Sequence, residues 1–148
     1  MDKNEGILLN GMVCIGIAEG WCYFANMTQD KLCKAREDGS ELQEWAPPLP
    51  DYIELDDTSD FMIDDGWVYF LHEYESSVEC AGFYQMRLDG SELKMFHVES
   101  LEDVTCSLDK VEGGWAYFTL DYDTGADDDE DTEIQYKVRT DGSDRQER

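Results

Sequence analysis

Apolar and polar residues alternate along most of the chain in short runs, broken by acidic residues and glycine. The stretch from Trp67 to Tyr74 is typical. It places Trp67, Tyr69 and Leu71 on one side of an extended strand and Val68, Phe70 and His72 on the other. Both sides are substantially apolar, which predicts a sheet covered on both faces. Residues 60–64, 82–88 and 91–98 alternate in the same way and are separated by turn signals. No long stretch holds a 3.6-residue period, so no helices are expected, and 99–104 reads as an irregular connection or a single turn.

The pattern then repeats. Trp21, Trp67 and Trp115 stand 46 and 48 residues apart, each preceded by glycine and followed by x-Tyr-Phe. Downstream, Arg36, Arg87 and Arg139 each stand two residues before Asp-Gly-Ser, at intervals of 51 and 52. Ile17, Ile63 and Val111 mark a weaker third phrase ahead of each tryptophan. A period near 50 predicts a few four-stranded units in one domain over 1–148, with units at about 12–46, 59–99 and 104–148. Hairpins are expected at Gly39, Gly90 and Gly142, where Asp-Gly offers the positive φ of a primed turn. The tryptophans are expected to pack between neighbouring sheets.

The repeated GWxYF…R-x-DGS phrases resemble the bacterial β-propeller-like repeats grouped as a domain of unknown function related to low-density-lipoprotein-receptor-type propellers. Blades of that group read like DWIYYSN…LYRIRTDGS, and the likeness spans roughly 12–148. It implies an all-β fold of three propeller-blade-like, four-stranded antiparallel repeats, and it carries over no catalytic residue. Trp21, Trp67, Trp115 and the three Asp-Gly-Ser turns take the structural roles. A single ring needs at least four blades. Three repeats therefore stay open or close as a six-bladed homodimer that buries the free edges.

Charge changes the picture. With 36 acidic and 11 basic side chains the formal net charge is -25, which repels nucleic acids and anionic membranes and attracts basic protein surfaces. Acidic runs fall at 51–60, 64–65 and 127–131. The spacing from tryptophan to the downstream arginine grows through 15, 20 and 24 residues, so unequal loops hang on a constant scaffold. The five cysteines form no CxxC pair and read as reduced, mostly packed thiols in a cytoplasmic protein, with no structural metal. No apolar run approaches the length of a membrane helix, and the first residues do not read as a secretory signal.

Catalytic chemistry finds little support. Carboxylate pairs such as Asp121 and Asp123 are too common here to mark acid–base catalysis. His72 and His97 lie in strand-like segments and read as structural; no nucleophile elbow or phosphate loop is present. The segment 121–133 alternates oxygen ligands as calcium loops do, but with glycine at its fifth position and no flanking helices. The expectation is a non-enzymatic, cofactor-free protein that occupies a basic surface of a partner, through Asp56, Asp57, Asp60, Asp127, Asp128, Asp129, Glu130 and Asp131. One alternative is an inhibitor that imitates DNA towards a nuclease or nucleic-acid-binding defence complex, an analogy of charge and size with acidic phage inhibitors. Another is a calcium- or carbohydrate-binding repeat module.

Overall fold

The computed structural model describes residues 12–26, 31–44, 50, 53, 57–75, 79–122 and 132–148. Among them are twelve strands in three antiparallel sheets of four. The first sheet holds β1 (Met12–Ala18), β2 (Trp21–Asn26), β3 (Lys31–Arg36) and β4 (Gln43–Glu44). The second holds β5 (Thr58–Asp64), β6 (Trp67–Glu75), β7 (Glu79–Arg87) and β8 (Lys94–Ser100). The third holds β9 (Val104–Glu112), β10 (Trp115–Tyr122), β11 (Thr132–Arg139) and β12 (Gln146–Glu147). Strand order in each sheet follows chain order. Residues 102–103 form only a turn between β8 and β9.

The blade expectation is corrected here. The chain is all-β, but none of the three sheets is closed or curled as a propeller blade requires. The likeness to propeller repeats and the six-bladed ring fall with it. Alternation and turn chemistry dictate strand number and hairpin order; neither dictates curvature, which depends on how faces pack and on where bulges fall. The fourth strand is only two residues long in the first and third sheets, so it adds little to either.

The sheets pack face to face by one rule. The Trp-Tyr side of each meets the Phe side of the next. Ile15, Tyr23, Ala25 and Leu32 of the first sheet share a core with Val68, Phe70, Tyr84 and Met86 of the second. Tyr69, Leu71, Ala81 and Phe83 on the second sheet's other side share one with Leu108, Ala116, Phe118 and Val138 of the third. Phe70, Phe83 and Phe118 are fully buried, each stabilising the fold by about 1.5–3 kcal/mol over leaving it exposed. The two faces read from residues 67–72 are thus the two cores.

Bulges mark all three leading strands, at Ile15 in β1, at Asp60-Phe61 in β5 and at Asp109 in β9. These strands neighbour one another from sheet to sheet. A Cβ on Gly16 would lie 3.1 Å from Ile63 Cδ1, and the Leu108 amide donates to Asp60 Oδ2 at 3.0 Å. The third sheet's outer side is polar where the others are apolar. Thr119 there donates to Asp109 at 2.5 Å, and Tyr117 is flanked by Lys110 and Arg148. A polar outer face is what ends a stack of repeats in water.

Candidate functional site: an acidic rim of turns

Two turns of every unit lie side by side at one end of its sheet. The first joins the leading strand to the tryptophan strand: Glu19-Gly20, Asp65-Gly66 and Gly113-Gly114. All six residues have positive φ, from 48° to 85°, the requirement of a two-residue type I′ hairpin. The primed turn predicted at Asp-Gly-Ser therefore sits here instead. At the second turn only the glycine of Asp-Gly is at positive φ, and its amide donates to the arginine carbonyl three residues back at 2.8 Å. A four-residue turn with a left-handed glycine results, a common form of longer hairpin. The Leu88 and Thr140 amides donate to the Gly66 and Gly114 carbonyls and stitch the two turns together.

Each second turn carries the same side-chain module. In the central unit the Asp89 carboxylate accepts the Ser91 amide at 2.9 Å and the Ser91 hydroxyl at 2.5 Å. Those two bonds hold the Asp89 carboxyl below its usual value; Ser143 does the same for Asp141. The Arg87 guanidinium lies 4.0 Å from the Trp67 ring centroid, and its Nε donates to Glu92 at 2.7 Å. Arg36 repeats this on Trp21 with Glu41, and Arg139 on Trp115 with Asp144. The tryptophans are thus half-buried at the sheet ends: one edge packs on a core in the first two units, and the face carries a cation. The recurring Arg-x-Asp-Gly-Ser-acid spacing was the sequence signal for the module, and the function assigned to the acidic loops passed over it.

The consequence is a rim of carboxylates. It comprises Glu19, Glu37, Asp38 and Glu41 in the first unit, Asp64, Asp65, Asp89 and Glu92 in the second, and Glu112, Asp141 and Asp144 in the third. The Asp60–Leu108 and Gly16–Ile63 approaches align the leading strands, and Gly142 of the third unit's turn abuts the Phe96 carbonyl near the start of β8. All three turn pairs therefore face the same end. Seven non-glycine residues have positive φ among those described, and every one is Asp or Glu. Glu41, Glu92 and Asp144 repay the strain with an arginine bond.

Of the residues expected to meet a partner, Asp57 is half-buried just ahead of β5, and Asp60 is exposed while holding the Leu108 amide of the third unit. Asp56, Asp127, Asp128, Asp129, Glu130 and Asp131 lie outside the described residues, as does most of the calcium-like segment 121–133. The ends of β10 and β11 that flank this loop, Tyr122 and Thr132, pair at the end of the sheet opposite the rim.

A second polar cluster lies between the second and third sheets. Arg145 binds Glu99 through two bonds of 2.6 and 3.0 Å, and His97 Nε2 lies 2.6 Å from the same carboxylate. Burial by itself pushes the Glu99 carboxyl up; the bonds from His97 and Arg145 and the guanidinium charge outweigh it and hold it low. Arg145 also stacks 4.2 Å from the Tyr136 ring, and His97 packs against Phe83 and Phe118. A carboxylate saturated in this way is a brace, not a free acid. His72 packs against Tyr74 and Tyr84 on the opposite side of the second sheet, so the two histidines do not face each other. Among the described residues no group of three or more His, Cys, Asp or Glu is placed to hold a metal ion. Searched against protein-family models and curated proteins, the chain matches none of them.

Proposed function

We propose that the protein is a non-enzymatic acidic binding module whose rim of turns occupies a basic surface of a partner protein. The observation carrying this reading is the fate of the cations. Lys31, Arg36, Arg87, Lys110, Arg139, Arg145 and Arg148 are each committed to an internal carboxylate within 3.4 Å. Lys34 and Lys137 lie over Trp21 and Trp115. Nine of the ten described basic groups are engaged locally in this way, Lys94 at the start of β8 being the exception, and the rim keeps a surplus of exposed negative charge on its hairpins. Preorganised like charges of this kind steer encounter with a cationic patch and select against acidic partners.

The test is capture from cells that normally contain the protein, at low and at high salt. Wild type is compared with a rim variant (Glu19→Gln, Asp64→Asn, Asp65→Asn, Glu112→Gln) that leaves the arginine modules intact. The captured partner is expected to be basic and to be lost from the rim variant and at 1 M salt, where the screening length is about 3 Å. A partner that tolerates both changes refutes the reading. Competition by duplex DNA for the same partner site narrows it to imitation of nucleic acid; a partner indifferent to DNA leaves the broader module.

A further inference from the structure

We infer that β8 is a docking edge for a second copy of this chain: two copies pair antiparallel along Lys94–Ser100 and join their second sheets into one. A free edge strand is where a sheet can be extended. β4 and β12 offer two residues each, whereas β8 offers seven, and among the described residues no strand pairs with its outer edge. No turn or loop backbone bond among the described residues reaches 94–100. β5, at the other edge of the sheet, is tied to β9 through the Asp60–Leu108 bond. Unlike ring closure, this contact needs no curled sheet.

The order of faces along β8 fits the strand to itself. Lys94, His97 and Glu99 stand opposite Gln85, Phe83 and Ala81, on the side of the third sheet, and the bulged Phe96 packs into that same core. Met95 and Val98 stand opposite Tyr84 and Gly82, on the side of the first sheet. The bulge therefore gives 94–99 a sequence of sides that reads the same from either end. A twofold axis between Phe96 and His97 sets Met95 opposite the partner's Val98 and Lys94 opposite the partner's Glu99, each pair on one side of the joined sheet. A slip of one residue would set Met95 opposite the partner's Glu99, on conflicting sides. Met95 and Val98, 47% and 45% exposed, are the exposed large hydrophobics of the second and third sheets among the described residues, and the pairing covers them.

Charge selects the same arrangement. Lys94 opens the strand, while its far end carries Glu99 and runs on into Glu102 and Asp103. Antiparallel pairing brings each Lys94 to the acidic end of the second copy; parallel pairing would set lysine beside lysine and acid beside acid. Glu99 keeps its bonds to Arg145 and His97, so Lys94 joins an existing negative field and displaces nothing. The Phe96 carbonyl faces Gly142 of the third unit, so the new backbone bonds fall on either side of the bulge. A net charge of -25 on each copy opposes association at long range. Salt relieves that repulsion before it weakens short contacts, so dimerisation strengthens as salt rises. Capture of a basic partner by the rim has the opposite salt dependence, and the two readings stand or fall separately.

The experiment is sedimentation equilibrium of the full chain over a concentration series at 0.1 M and 1 M salt, where the screening lengths are about 10 Å and 3 Å. The mass is expected to rise from 17.0 kDa toward twice that value, and to do so at lower concentration in the higher salt. Val98→Lys, which puts a lysine on both apolar contacts, is expected to abolish the dimer; Lys94→Glu, at an exposed site, is expected to weaken it several-fold. Carbodiimide coupling of a mixture of heavy and light isotope-labelled chains is expected to join Lys94 of one label to the peptide carrying Glu99, Glu102 and Asp103 of the other. Within one chain Lys94 and Glu99 are about 16 Å apart along the strand, too far for a zero-length link. A monomer at every concentration in both salts, as an edge guarded by its bulge and lysine would give, overturns the inference. So does a dimer that salt dissolves, or one that Val98→Lys and Lys94→Glu both leave intact. The wild-type series and its cross-links decide even if Val98→Lys fails to fold.

Discussion

Glu19 and Asp65 occupy the first position of type I′ turns, at φ 55° and 48°, where asparagine or glycine is the comfortable residue. The third unit has Gly113 in the same place, at φ 61°. An L side chain in the left-handed region costs about 1–2 kcal/mol, less for the short polar Asp and Asn. Glu19→Asn should therefore gain about 0.5–1 kcal/mol and Asp65→Asn less, for about 1 kcal/mol together. At this chain length that raises the melting midpoint by about 2–4 °C. The converse is sharper: a Cβ on Gly113 meets nothing within 4 Å, so Gly113→Glu isolates the backbone term and should cost about 1 kcal/mol.

Urea unfolding followed by tryptophan emission reads all three, with the slope unchanged if only stability moves. If Gly113→Glu is neutral and the two asparagine variants gain nothing, the strain argument is wrong at all three turns. The same pair also separates scaffold from function. It removes two rim charges while strengthening the fold, so the proposed binding should weaken as stability rises, a trade-off typical of strained functional positions.

Removing the Glu99 side chain as Glu99→Ala should cost about 2–3 kcal/mol, short of a fully buried pair because Arg145 is 39% exposed and can turn to water. Because the Glu99 carboxyl is held below its ordinary 4.5, its stabilisation is complete above that value and lost as pH falls through the lower folded value. Stability measured from pH 6 down to pH 3 should therefore fall less steeply in Glu99→Gln than in wild type. Gly39→Ala and Gly142→Ala both meet positive φ, but only Gly142 would press a Cβ to 2.4 Å from the Phe96 carbonyl, so its unfolding midpoint should drop well beyond the roughly 1 kcal/mol expected at Gly39. Phe118→Ala, in the core between the second and third sheets, should cost about 3–5 kcal/mol by denaturant unfolding.

The strands, their order and their two-faced character were legible because alternation and turn residues are local. Trp67, Tyr69 and Leu71 had to share a face, and they fill one core while Val68 and Phe70 fill the other. Sheet form was not legible. Nothing in a 50-residue period distinguishes a curled blade from an open four-stranded sheet, because both bury two apolar faces. Turn type was half legible: acid-Gly occurs at two places per unit in the first two units, and only ladder geometry shows which one is primed.

The site was harder because charge in a sequence has no address. Acidic runs attract notice, yet the rim is assembled from single residues that the hairpins bring to one end: Glu19 and Asp65 from first turns, Glu112 from the end of β9 beside one, and Glu41, Glu92 and Asp144 from second turns. Arginine told more than acid did. An arginine two residues before Asp-Gly-Ser with an acid directly after the serine (Arg87 and Glu92 in the centre) reports a cation already paired and stacked on its tryptophan. Each exposed pair of this kind adds only about 0.2–1 kcal/mol, too little for stability to be its main consequence. Its larger effect is electrostatic: it pairs each rim arginine, still partly exposed, with an acid of its own turn and leaves the remaining carboxylates without a cation of that turn, held by short hairpins.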